Sequence, residues 1–439
     1  MNRLYFYSGL EVYYPKEYGT SFTFLYLILL ILIIFIFLIK RKSVKIVLEL
    51  EKNESYTLYE GLYMHKRVLI KWYKKRKPEI TKEIQILQEV HNNLYISRLV
   101  YYEDNYFNTF LVFEYLEEIN SKLTKAMLHQ IVLAVKFLNE KNIFLKNFNP
   151  KNIRIQNGHT VLFNVGVHGD NKGWYSECQE DDKIKNVFFL GCLLHYFITG
   201  YHPYDKRGLE KDCQSDEQSD LDNCDNRKDK DSCDNVKKDK DKCEYKVNDL
   251  NNHDNNISNL TFLDHKSIQD NILLKKYKIR IEDPLVHDLI YHTIKAKIPE
   301  RTSLQRLSAH PFFWDDSSKF EFIARYSDIL EGNPIQVKKI ERNKTRIFTK
   351  PWNSYLCSLV SEELSVFRLY NFNSARDLIR VIRNKGRHYN QIPGNVKEVY
   401  RTFPGGFMSY WCGLFPGLLI VCYNCGYQLR TNELLEKFY

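Results

Sequence analysis

Cysteine is sparse. Ten are scattered over 439 residues, which excludes the short, disulfide-stapled frame of a small secreted domain. Close cysteine pairs of the kind that hold zinc are also lacking, apart from Cys422-x-x-Cys425. That pair lies in an apolar run and reads as a buried C-terminal helix. A shortage of apolar residues is not found: 44% hydrophobic and 27% charged residues exclude a chain disordered throughout. Lys and Arg exceed Asp and Glu by only 64 to 54, a modest balance that favours an anionic partner. At ~150 residues per domain, the length fits two or three domains. His195 and His202, in an apolar helix and the turn after it, read as packing and capping residues.

What is present begins with residues 21–39, SFTFLYLILLILIIFIFLI, without a charge, Gly or Pro. As a helix this run spans ~28 Å, close to the ~30 Å hydrocarbon core of a bilayer. No small-residue cleavage site follows it, so it reads as a transmembrane helix rather than a signal peptide. Lys40, Arg41, Lys42 and Lys45 come next and orient the C-terminal part to the cytosol. Residues 1–20 are then a short luminal arm, and sequons at Asn53, Asn256, Asn259 and Asn343 stay unglycosylated. Residues 205–259 are polar and repetitive, with Cys213, Cys224, Cys233 and Cys243 too widely spaced for a metal. They read as a disordered insert.

Between these features the chain predicts an α+β domain. Alternating apolar positions at 44–50 and 56–63, then VLIK at 68–71, predict strands. Pro78–Val90 and Lys125–Asn139 have helical spacing, with TFLVFEYLEE as a strand between them. This arrangement resembles the protein kinases, over residues 43–314. VLIK ending at Lys71 resembles the strand lysine of V-A-I-K, and Glu83 its helix partner. Leu145–Asn152, LKNFNPKN, stands in the place of H-R-D-x-x-x-x-N, and Asn164-Val165-Gly166 in that of D-F-G.

The charges that phosphoryl transfer uses are missing. That chemistry takes one Asp to orient the hydroxyl and another to hold Mg²⁺. Asn147 and Asn164 occupy those places, and Asn149 replaces the catalytic-loop lysine. The phosphate-covering loop is replaced by Glu51–Tyr56, which has no glycine and two carboxylates. Lys71, Glu83 and Asn152 alone persist. The resemblance therefore implies a bilobal pseudokinase with doubtful ATP or ADP binding and a structural Lys71–Glu83 pair.

Residues 315–439 carry 18 Lys and Arg against 12 Asp and Glu. Arg376, Arg380, Arg383 and Arg387 fall on one helical face, opposite Ala375, Leu378, Ile379 and Ile382. Gly386 reads as a helix stop. The pattern alone fits either a solvated basic face or a cradle for phosphate.

HPFFW at 310–314, VFRLYNFNSARDLIRVIRNKGRHYNQIP and FPGGFMSYWCGLFPGLLIVCY together resemble the all-α kinase-extension nuclease domain. That domain is found in the inositol-requiring kinase/endoribonuclease of the unfolded protein response and in RNase L. The apolar run at 21–39 favours the former, here without its luminal sensor. The resemblance implies catalytic Tyr370, Arg383, Asn384 and His388, and RNA contacts from Arg376, Arg380, Lys385 and Arg387. Tyr370 would take the 2′-OH proton and His388 would protonate the leaving 5′-oxygen. An imidazole suits that acid role near neutral pH. Arg383 and Asn384 would hold the phosphate. No metal or other cofactor is required for this chemistry. Stem-loop mRNA as substrate, a homodimer or higher oligomer, and single-pass residence in the endoplasmic reticulum membrane follow as expectations. A membrane scaffold whose nuclease has decayed like its kinase is the alternative from another class.

Overall fold

The structure is a computed structural model describing residues 26–31, 44–74, 78–104, 108–145, 149–165, 174, 182–205, 265–279, 281–295, 301–367 and 369–439. The expected membrane span lies outside these residues except for 26–31, which are helical and exposed. Among the described residues no single helix is long and apolar enough to cross a membrane. The insert beyond Asp205, Asn147 and Gly166 also lie outside them. The chain forms two compact units, Met1–Arg76 with Leu99–Tyr115, and Lys77–Arg98 with Leu116–Tyr439.

The first unit is an antiparallel sheet. Its strands are β1 (Val44–Lys52), β2 (Thr57–Tyr63), β3 (Lys66–Tyr73), β4 (Leu99–Asp104) and β5 (Thr109–Glu114), in the order β1-β2-β3-β5-β4. Met64 and His65 join β2 to β3 with φ of 50° and 64°, the backbone of a tight two-residue hairpin. The sequence reading anticipated every strand of this sheet but β4, and neither strand of the later hairpin at 153–162. That edge strand leaves Val100 and Tyr102 exposed and is fixed by its pairing with β5. Lys71 lies mid-strand, opposite Leu58 and Leu111, and is fully buried. Its ammonium sits 4.4 Å from the ring centre of Tyr56 and 5.3 Å from that of Tyr73.

In the second unit, the helix Pro78–Glu89 buries Ile80, Ile84 and Leu87, with Glu83 also buried. Thr124 caps the helix Lys125–Glu140 by accepting the Met127 N–H. A hairpin of β6 (Ile153–Gln156) and β7 (His159–Leu162) turns on Asn157 and Gly158, with φ of 51° and 78°. The Asn-Gly pair suits this turn because both positions need positive φ. Asn152 and Asn164 are buried, and Asn164 Nδ2 donates to Asn152 Oδ1 at 2.7 Å. At 59° the φ of Asn164 is left-handed, a conformation Asn tolerates better than most residues. His195 and His202 are buried, and the His202 ring meets Trp174 edge-on at 4.6 Å.

Residues 315–439 are helical, with no strand among those described. The helices are Asp316–Gly332, Pro334–Arg342, Ser358–Phe367, Ala375–Arg387, Gly394–Tyr400, Gly405–Leu414 and Leu418–Gly426. Phe322, Tyr326, Trp352, Ile379, Ile382, Tyr400, Phe407 and Trp411 fill one core. Cys422 and Cys425 belong to it as free, buried thiols, and burial pushes both thiol pKa values up. Among the described residues no cluster of metal-ligating side chains occurs.

Gly386 corrects the sequence reading. The helix runs through it to Arg387 rather than stopping there. A Cβ at Gly386 would stand 2.0 Å from the Phe320 ring, so glycine permits close packing of two helices. A polar network links Leu418–Gly426 to Pro284–Ile294, both within this unit. Asp288 accepts from the Asn424 amide at 2.9 Å and lies 3.4 Å from His310 Nε2 and 3.5 Å from His292 Nε2. Asn424 accepts from Arg306 at 2.7 Å, and that guanidinium lies 4.1 Å from the centre of the Tyr427 ring.

Candidate active site

The basic helix Ala375–Arg387 organises the site. Ser374 caps it by accepting the Asp377 N–H at 3.2 Å. Ala375, Leu378, Ile379, Val381 and Ile382 are buried, as the apolar stripe required. Asp377 accepts the Asn371 N–H at 2.8 Å, tying down the loop after Tyr370. Trp352 braces the same loop, its backbone and indole N–H groups donating to the carbonyls of Phe372 (2.9 Å) and Asn371 (3.2 Å).

Three of the four expected catalytic side chains form a chain of contacts. Arg383 Nη1 donates to Asn384 Oδ1 at 2.8 Å, and Asn384 Nδ2 lies 3.5 Å from the Tyr370 hydroxyl. His388 caps the end of the helix, its N–H donating to the Asn384 carbonyl at 3.0 Å. Its side chain is exposed. The Tyr–Asn–Arg chain is therefore fixed from two directions, while the imidazole stands open to solvent.

The arginine face is not an open cradle. Arg383 donates through Nε (2.8 Å) and Nη2 (2.5 Å) to Asp328 Oδ1, and Arg387 pairs with the same carboxylate. Arg376 pairs with Glu331 at 3.0 Å, and Arg380 pairs with Glu331 as well. Burial raises the Asp328 pKa, but hydrogen bonds from Arg383 and Arg387 outweigh it and hold the carboxyl below the usual range. Glu331 is likewise lowered, chiefly by its hydrogen bond to Arg380. Lys385 turns away from the face to pair with the buried Glu363. Arg376, Arg380, Lys385 and Arg387, the residues expected to contact RNA, are engaged by carboxylates of neighbouring helices. Asp328 and Glu331 lie some fifty residues upstream, and no local spacing announces them. Asp377 did have a signal, the Ser-x-x-Asp spacing of a capping box.

Arg383 keeps capacity for an anion. A guanidinium has five N–H donors. Two of those on Arg383 go to Asp328 and one to Asn384, leaving one N–H on each Nη.

The family model described as Ribonuclease 2-5A matches residues 319–439. The sensor for unfolded proteins in the ER ire1 of Schizosaccharomyces pombe is 32% identical over 161 residues, 35% of this chain and 15% of that protein. The serine/threonine-protein kinase/endoribonuclease IRE2 of Homo sapiens is 28% identical over 163 residues, 36% of this chain and 18% of that protein. The serine/threonine-protein kinase/endoribonuclease IRE1a of Arabidopsis thaliana is 23% identical over 349 residues, 73% of this chain and 35% of that protein. The chain spans about a third or less of the length of these relatives. The chain is thus similar to IRE1 proteins over part of their length, and its residues 319–439 match the Ribonuclease 2-5A family.

Proposed function

We propose that the C-terminal domain is a metal-independent endoribonuclease. The observation that carries this reading is the chain Tyr370–Asn384–Arg383 beside an exposed His388, in a domain matching a ribonuclease family. Tyr370, acting as its phenolate, takes the proton of the 2′-OH, whose oxygen attacks the adjacent phosphorus. The bond from phosphorus to the 5′-oxygen breaks, and His388 protonates that oxygen. The products are a 2′,3′-cyclic phosphate and a 5′-hydroxyl. The two spare N–H groups of Arg383 face the charge that builds on the phosphate oxygens, where such donors do most for rate. Catalysis then depends on no divalent ion. Cleavage of a stem-loop RNA by the purified full chain is expected to persist in excess EDTA, and loss of activity on chelation would overturn this reading.

The region before the nuclease is a pseudokinase in this proposal. The amides of Asn152 and Asn164 hydrogen-bond each other, whereas Mg²⁺ binding calls for a carboxylate at such a position. Tyr56 and Tyr73 stand against the Lys71 ammonium, where phosphates would approach it. No phosphate transfer is expected; Mg²⁺-dependent labelling by radioactive ATP that disappears in Lys71→Ala would sink this part. The name of one relative, a sensor for unfolded proteins in the ER, supports a role in unfolded-protein signalling; to this we add residues 21–39 as a single-pass anchor, cytosolic C-terminal domains and a homodimer as the working state.

A further inference from the structure

The four arginines of the basic helix are each paired, two to Glu331 and two to Asp328, so the domain's unpaired positive charge is sought elsewhere. Residues 338–350 hold Lys338, Lys339, Arg342, Lys344, Arg346 and Lys350 against one carboxylate, Glu341. Glu341 is turned to the basic helix, where it accepts from the Ser374 hydroxyl at 2.6 Å and the Arg376 N–H at 3.0 Å. Lys339 donates to the Cys425 carbonyl at 2.9 Å. Among the described residues, no carboxylate pairs with Lys338, Arg342, Lys344, Arg346 or Lys350. Arg346 and Lys350 are exposed, Lys338 is exposed on its helix, and Arg342 and Lys344 are at least partly open to solvent.

This strip is stitched to the loop that leaves Tyr370. Lys344 Nζ donates to the Asn373 carbonyl at 2.8 Å, and Trp352 holds Asn371 and Phe372. From Ala375 to Asn384 the basic helix rises ~14 Å, at 1.5 Å per residue. That is about four nucleotide steps at ~3.4 Å each.

We propose that Lys338, Arg342, Lys344, Arg346 and Lys350 form a track for the RNA backbone, holding the strand that flanks the cleaved phosphate a few nucleotides away. The proposal rests on the nuclease reading above and adds where affinity comes from. The arginine helix supplies Arg383 at the reacting phosphate, and the track supplies sequence-independent charge. An anionic membrane would also attract such a strip, but its attachment to the Tyr370 loop favours RNA.

The test is the full chain carrying Lys338→Gln, Arg342→Gln, Arg346→Gln and Lys350→Gln together, four positions outside the core. The binding probe is a stem-loop RNA with 2′-O-methyl groups throughout its loop, which blocks attack by the 2′-oxygen. The substitutions are expected to raise its Kd by about tenfold or more, and to lower the salt slope by about 0.7 for each phosphate no longer neutralised. Cleavage of a short single-stranded RNA, too small to reach the track, is expected to be unchanged. Equal Kd and equal slope in the two proteins would overturn the track. So would an equal drop in cleavage on the short and long RNAs, because the change would then act at the reacting phosphate. Failure to bind phosphatidylserine vesicles with RNA binding intact would assign the strip to a membrane instead. If the wild-type chain cleaves neither RNA, the nuclease reading fails, while the Kd and salt slope on the uncleavable RNA still decide the track.

Discussion

His388→Ala is expected to lower RNA cleavage by about 10²–10⁴-fold, the usual worth of one positioned acid or base. The loss falls on kcat. The contacts among Arg383, Asn384 and Tyr370 do not involve the imidazole, and the side chain of His388 is exposed, so folding and RNA binding are spared. Tyr370→Phe is expected to cost a similar order if the phenol takes the 2′-OH proton. It should cost far less if the ring only packs on Trp352, with which it makes an edge-on contact at 6.4 Å. Single-turnover rates with saturating enzyme separate these outcomes from changes in affinity. Wild-type cleavage in His388→Ala would place the acid elsewhere.

The sequence made the apolar half of the basic helix legible, but not the partners of its polar half. Leu378, Ile379 and Ile382 repeat at helical spacing because a helix must bury one stripe, and they are buried. The same periodicity collects Arg376, Arg380, Arg383 and Arg387, but periodicity says nothing of what faces them. Asp328 and Glu331 face them, brought there by the fold of Asp316–Gly332. A row of arginines in the sequence therefore does not show which of them the fold pairs with carboxylates. The less regular cations of residues 338–350, which form no periodic pattern in the sequence, include the ones without a carboxylate partner among the described residues. Gly386 shows the same limit. A glycine near a helix end fits a stop signal, and only the ring of Phe320 reveals the closer constraint. The strands β1, β2, β3 and β5 were legible because alternation reports a face directly. The edge strand β4 owes its existence to hydrogen bonds from β5, which no local pattern encodes.

Asp288→Ala is expected to destabilise the protein by about 3–5 kcal/mol, the cost of removing one partner from a buried charged network. With roughly 2–4 °C per kcal/mol for a domain of this size, Tm falls by about 10 °C. The carboxylate joins Asn424 of one helix to His310 and His292 of the region before the nuclease, and alanine leaves those donors without an acceptor. Asp288→Asn keeps an oxygen for Asn424 and should cost less. The pH dependence separates two groups in this network. Burial tends to raise the Asp288 carboxyl, but hydrogen bonds from His292 and His310 prevail and hold it well below the usual range. Its contribution is complete above the ordinary carboxylate range and is lost only as pH falls through the depressed folded value, in strong acid. His310 is different. Its Nδ1 accepts the Phe312 N–H at 3.2 Å, so its proton sits on Nε2, facing Asp288. Burial lowers its pKa in the folded protein, with Asp288 opposing. The unfolded chain then takes up a proton first as pH drops below ~6.5, and stability falls with it. Wild-type Tm is expected to decline from pH 7 toward pH 5, and His310→Gln to flatten that decline. A Tm unmoved by Asp288→Ala would mean that the network does not hold the helix Leu418–Gly426 to its neighbours, and that apolar packing alone does so.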